Sequence, residues 1–107
     1  MENASAGQRI GILFNRIRNE GANADLLNDL GLAYMDVGDL GGALDAFSRA
    51  RQLNPTDADI TYNLMLLHIN RKDQAAARAS MQDYLRLETN TDDLERVRNN
   101  PKFKELL

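Results

Sequence analysis

Three observations predict an all-α fold, an array of antiparallel helical hairpins. Apolar residues recur at helical intervals: Leu27, Leu30, Gly31, Tyr34 and Val37 share one face of a 3.6-residue period, and Ala43, Phe47, Ala50 and Leu53 share a second. The pattern then repeats. A shift of 34 residues gives identities at Ala24/Ala58, Asp25/Asp59, Leu30/Leu64, Leu32/Leu66, Asp39/Asp73, Ala43/Ala77 and Leu53/Leu87. Residues suited to capping helix starts, Asn23, Asp57 and Thr91, recur at the same interval. A single hairpin cannot bury its apolar faces alone, so repetition implies stacking.

Taken in order, residues 1–7 are short, polar and small and are expected to form a loose, disordered leader without the basic start and apolar run of a secretory signal. Residues 8–20 place Ile10, Leu13, Phe14 and Ile17 on one face, which predicts an N-terminal helix covering the open side of the first hairpin. The first hairpin occupies residues 24–57, with Gly38-Asp39 as its turn. Gly31 and Ala43 are the smallest residues on its facing stripes and are expected where the helices approach closely, with Tyr34 and Phe47 filling the space beside them. The second hairpin, residues 58–91, buries Ile60, Leu64 and Leu67 but carries Met65 where Gly31 stood, His68 for Tyr34, Met81 for Phe47 and Tyr84 for Ala50. Small residues have become large, which predicts a wider helix separation and a Tyr84 facing the tail. Residues 92–107 form the closing cap. Leu94 and Val97 lie on a short helix that Asn100-Pro101 stops, and a last small helix sets Phe103, Leu106 and Leu107 on one face, folded back on Tyr84, Leu85 and Leu87. With partial units at both ends, residues 8–107 read as one complete folding unit.

The stretch Leu27-x2-Leu30-Gly31-x2-Tyr34, then Ala43-x3-Phe47, then Ala50 and Pro55, resembles a tetratricopeptide repeat, with Leu27 replacing the opening Trp of that pattern. The N-terminal Phe14-x-Arg16-Ile17-Arg18 echoes Phe47-x-Arg49-Ala50-Arg51 and resembles the second helix of a truncated preceding repeat. The resemblance implies a right-handed superhelical stack, a solenoid of two repeats with helical caps, whose first helices line a concave face.

Composition narrows the function. At 107 residues with 13 basic and 16 acidic side chains, net −3, the chain has no broad cationic field to recommend DNA, RNA or an anionic membrane. Without cysteine it has no disulfides, thiolate metal sites or cysteine nucleophiles. No apolar run approaches the roughly 18 residues of a membrane span. A cytoplasmic location is expected, although a domain excised from an exported parent would read the same way.

The residues that could carry chemistry stand in patterns that do not support it. Asp36-Val37-Gly38-Asp39-Leu40-Gly41 breaks the calcium-loop spacing, and Asp92, Asp93 and Glu95 read as carboxylates at a helix start. His68, the only histidine, has no second histidine for zinc and no paired nucleophile; Ser48 and Ser80 carry no mark of activation. Gly38, Gly41 and Gly42 lack the Gly-Lys-Ser/Thr ending of a phosphate loop. No cofactor, metal or catalytic residue is expected.

Beyond the core positions, the first helices keep a further stripe of Leu32, Met35, Leu66 and Ile69 beside Asn28, Tyr62 and Asn63. The family resemblance implies that this stripe faces the groove and contacts a partner peptide. Asn63 stands where the family often has a peptide-contacting Asn, but Asn28 and Leu32 occupy places where its carboxylate clamp has Lys and Asn. Asp25 and Asp59 would repel a carboxylate and favour basic flanks. The sequence therefore reads as a non-catalytic protein-interaction module for a peptide or protein segment, with no nucleic-acid or membrane partner. Its rivals are a homo-oligomerisation domain, a possible homodimer, and an enzyme or enzyme accessory domain.

Overall fold

Side-chain caps set where each helix begins. The computed structural model describes residues 4–107, which form α1 (Ala6–Glu20), α2 (Ala24–Asp36), α3 (Leu40–Leu53), α4 (Ala58–Asn70), α5 (Gln74–Leu87), α6 (Thr91–Asn99) and a closing 3-10 segment (Pro101–Leu106). Asn23, Asp39, Asp57 and Asp73 each accept a backbone N–H of the first turn that follows. α1 begins two residues earlier than Gln8, because Ser5 and Gln8 form a reciprocal capping box, the Ser5 hydroxyl accepting from Gln8 N at 3.1 Å and the Gln8 side chain from Ser5 N at 2.8 Å. Of the expected leader, residues 1–3 lie outside the described residues, and Ala6 and Gly7 are helical. The cap of α6 is Asn90 rather than Thr91: Asn90 Oδ1 accepts from Asp93 N at 3.0 Å, so Thr91 opens the helix instead of flanking it.

The chain divides into two compact units, one up to Pro55 and one from Thr56. In the first, α1 packs on α2 through Leu13, Leu26, Leu30 and Ala33, joined by Ala46 of α3. The α2–α3 hairpin closes on small residues. A Cβ on Gly31 would lie 2.5 Å from the Phe47 ring, and one on Gly42 would lie 2.8 Å from the Tyr34 ring, so each helix supplies a glycine for the other's aromatic side chain. The close approach at Gly31 is thus made by Phe47 itself. Burial of that ring contributes roughly 1.5–3 kcal/mol.

Both hairpin turns have the same hydrogen bonds. Gly38 N and Asp39 N donate to Met35 O and Tyr34 O at 3.0 and 2.9 Å; Lys72 N and Asp73 N donate to Ile69 O and His68 O at 3.0 and 2.9 Å. These are paired helix-terminating bonds that require a left-handed residue. Gly38 has φ 82°, and Lys72 takes φ 60° in the equivalent place.

In the second unit Met65 and Met81 are fully buried where the first hairpin has Gly31 and Phe47. They belong to a core with Ala77, Tyr84, Val97, Phe103 and Leu106, against which Leu85 and Leu94 also pack. Leu107 lies outside it, 56% exposed, because the last segment is 3-10 rather than α: three residues per turn align Phe103 with Leu106 and turn the next residue away. Val37 and Leu53 also depart from their expected faces. Val37 is the cap residue after α2 and Leu53 the last residue of α3, and both side chains are exposed where the chain leaves the packed stripe.

Candidate protein-interaction site

The first unit offers an open groove of about 450 Å³ between α1 and α2, lined by Arg9, Ile12, Leu13, Asp29, Leu32 and Asp36. Leu32, predicted to contact a partner, is 38% exposed there, beside an Ile12 that is 52% exposed. Asn28 and Met35 are half-buried on the same helix. An Arg9–Asp36 ion pair bridges α1 and α2 at the groove wall. Ile12 escaped sequence reasoning because it lies off the buried stripe of α1, where an apolar side chain breaks no pattern.

The other predicted residues belong to α4, and three of them pack against the core that also holds Phe103 and Leu106. Tyr62 sits with its ring centroid 5.5 Å from Tyr84 and 6.1 Å from Phe103, the latter edge-on. Tyr62, Leu66 and Ile69 are half-buried against the second core, and Asn63 is half-buried. Ile69 also lines a cavity of about 240 Å³ with Ala77 and Leu106, rimmed by Lys72, Gln74, Lys102 and Glu105. Two hydrogen bonds tie the 3-10 segment to α5: Gln74 Nε2 donates to Glu105 Oε2 and Arg78 Nη2 to the Glu105 carbonyl, both at 3.0 Å.

A further cavity, of about 230 Å³, has two tyrosines and three carboxylates in its wall: Asp59, Tyr62, Tyr84, Glu88, Asp93, Arg96, Val97, Asn100 and Phe103. Burial, then the neighbouring Asp57, Glu88 and Asp93, push the Asp59 carboxyl above the usual carboxylate range. Burial is also the main reason the Tyr84 hydroxyl is pushed up to about 12, with Glu88 and Asp93 adding to it. A sequence signal for this cluster existed. Asp93 stands one further 34-residue step beyond Asp25 and Asp59.

His68 shows no arrangement for base catalysis. It is half-buried, its pKa lowered by burial and by Arg71, and the Arg71 guanidinium lies 3.4 Å from Nδ1, fitting a neutral ring that accepts. Ser80 is buried in α5. Among the described residues, no group of three or more His, Asp or Glu side chains is placed to hold a metal ion, and no helix is long and apolar enough to cross a membrane.

The hairpin of α2 and α3, with its Gly31–Phe47 contact and left-handed Gly38, coincides with the stretch that matches the family model for the tetratricopeptide repeat, residues 24–57. Residues 24–57 are a tetratricopeptide repeat. No curated protein matches the chain. Tetratricopeptide repeats generally mediate protein–protein interaction, and the all-α architecture around this one is that of a helical repeat.

Proposed function

We propose that the chain is a non-catalytic interaction module that takes an extended or helical segment of a partner protein on the exposed face of α2 in its first unit. Leu32 and Met35 supply apolar contact, with Asn28 on the same helix fixing the segment's backbone. The observation that carries this reading is the open groove at Leu32, where two large apolar side chains stand exposed between α1 and α2. Asp25, exposed on the same helix, favours a segment with a basic flank. A short groove implies a modest contact, near or below the ~1,200 Å² low end of specific interfaces.

The test is an amide chemical-shift titration with a peptide from a captured partner. Perturbations should fall on α2 and the facing side of α1, and Leu32→Asp, a change at an exposed position, should weaken binding while leaving the fold intact. Shifts confined to α3 and α5, or undiminished affinity in Leu32→Asp, would sink the proposal. Self-association is the second reading, supported by the exposure of Ile12 and Phe14 on α1. It requires a concentration-dependent mass in sedimentation without any ligand.

A further inference from the structure

The cavity among α4, α5, α6 and the C-terminal segment carries more chemistry than a packing defect needs. We infer that it is a receptor for one cationic side chain, an arginine or lysine, presented by a partner protein and held between carboxylates and tyrosine rings. That the side chain belongs to a partner rests on the interaction reading above; the site's preference for a cation does not.

Three independent features support the assignment. The first is charge. Asp59, Glu88 and Asp93 face the cavity against a single cation, Arg96, which pairs with Asp93 at 3.4 Å from a mostly exposed position on the rim. Two negative charges are left over; the Asp59 carboxyl is pushed up first by its partial burial and then by the neighbouring Asp57, Glu88 and Asp93. The second is Tyr84. Only 4% exposed, it has no hydrogen-bond partner for its hydroxyl among the described residues, yet that oxygen is not sealed from solvent, so it opens on the cavity it lines. The third is the aromatic wall. Tyr62 and Tyr84 lie tilted by 51°, presenting ring surface that attracts a desolvated cation.

Size selects the ligand class. At about 230 Å³ the cavity falls below the roughly 300 Å³ at which sites for drug-sized molecules begin, but it suits one side chain entering by its head group. The carboxylates do not form a metal cluster. A guanidinium or ammonium offers several N–H donors to carboxylates that approach from different elements, which suits a set spread over α4, α6 and the residue after α5.

The experiment titrates the full chain with Nα-acetyl-arginine amide and Nα-acetyl-lysine amide, with Nα-acetyl-citrulline amide as the neutral isostere, following amide shifts. Saturable shifts should appear at Tyr62, Tyr84, Glu88 and Asp93 with at least one cationic probe, and whichever of the two binds tighter names the side chain. Citrulline should bind about fivefold more weakly or not at all, the order expected for one charged contact. Asp59→Asn should weaken the cationic probe by a similar factor without lowering the melting temperature, since it relieves like-charge repulsion. Arg96→Gln should tighten it. Equal binding of citrulline, shifts scattered over carboxylates elsewhere, or an Asp59→Asn variant with unchanged affinity would overturn the assignment. None of these readouts needs the partner, so their failure leaves the Leu32 groove untouched, and failure of Leu32→Asp leaves this cavity untouched.

Discussion

The two hairpins share a turn, a capping scheme and a register, yet close their centres in different ways. The first sets an aromatic ring on a glycine twice, Phe47 on Gly31 and Tyr34 on Gly42, so its helices meet through backbone and ring. The second meets through Met65 and Met81, flexible side chains that fill whatever space the backbone leaves. They also differ in what lies against them. α4 and α5 receive the C-terminal 3-10 segment, with Phe103 and Leu106 buried, whereas the aromatic residue of the first unit's added helix, Phe14, stays 48% exposed and touches Tyr34 only edge-on, at 6.4 Å. A repeat keeps its turns and caps through divergence because these are local; its packing solution is negotiated with each neighbour.

The largest contrast should come from those two phenylalanines. Phe103→Ala should cost ~3–5 kcal/mol, the range for a buried aromatic, while Phe14→Ala should stay near ~0.5 kcal/mol, the range for surface changes. Urea denaturation of the two variants measures both. Comparable losses would mean that the C-terminal segment is no more structural than the exposed face of α1.

Next in size, Gly31→Leu should drive a side chain into the Phe47 ring and lower the melting temperature, with overpacking costing ~1–3 kcal/mol although leucine is the better helix former. Converting the first hairpin to the second's solution, Gly31→Met with Phe47→Met, should cost less than the two single changes added together, because the clash disappears with the ring. Additivity in calorimetry would show that the glycine and the ring do not share one packing problem.

The turns sharpen the comparison. Lys72→Gly should raise stability by about 1 kcal/mol by relieving a left-handed backbone, and Gly38→Ala should lower it by about as much, since a Cβ there meets no atom within 4 Å and the strain is purely conformational. Opposite signs at matching positions are the expected result. Equal signs would break the equivalence of the turns.

The smallest effect concerns pH and separates His68 from its counterpart Tyr34. The folded-state pKa of His68 is depressed by burial and Arg71, so the unfolded chain binds more protons below the ordinary value near 6.5. Its contribution is therefore present above that value and lost as pH falls through it. Stability should decline slightly between about pH 7 and 5, and His68→Gln should flatten that slope in denaturation curves measured across the window.

Much of this was legible in the sequence. Asn23, Asp39, Asp57 and Asp73 announce helix starts because a short polar side chain satisfies an N–H a few residues away, and Leu27, Leu30, Ile60, Leu64 and Leu67 announce a buried face because the period alone aligns them. The errors fall where those local rules change. The α periodicity that places Leu107 beside Phe103 fails because the segment is 3-10, and Val37 and Leu53 lie at helix ends, past the packed stripe. At the candidate site Leu32 could be read and Ile12 could not, since exposure of an apolar residue leaves no trace in spacing.

The sequence by itself determined the helices, the caps of the two hairpins, the 34-residue register and the hairpin turns, because each depends on bonds among residues close in the chain. Only the tertiary structure decided that Tyr62, Leu66 and Ile69 pack with the core containing Phe103 and Leu106, that Phe47 lands on Gly31, and that Asp59, Glu88 and Asp93 gather around Tyr84. The physical reason is that burial and electrostatic neighbourhood belong to pairs of surfaces. A helical stripe reveals that it is apolar; what covers it depends on where distant parts of the chain come to rest.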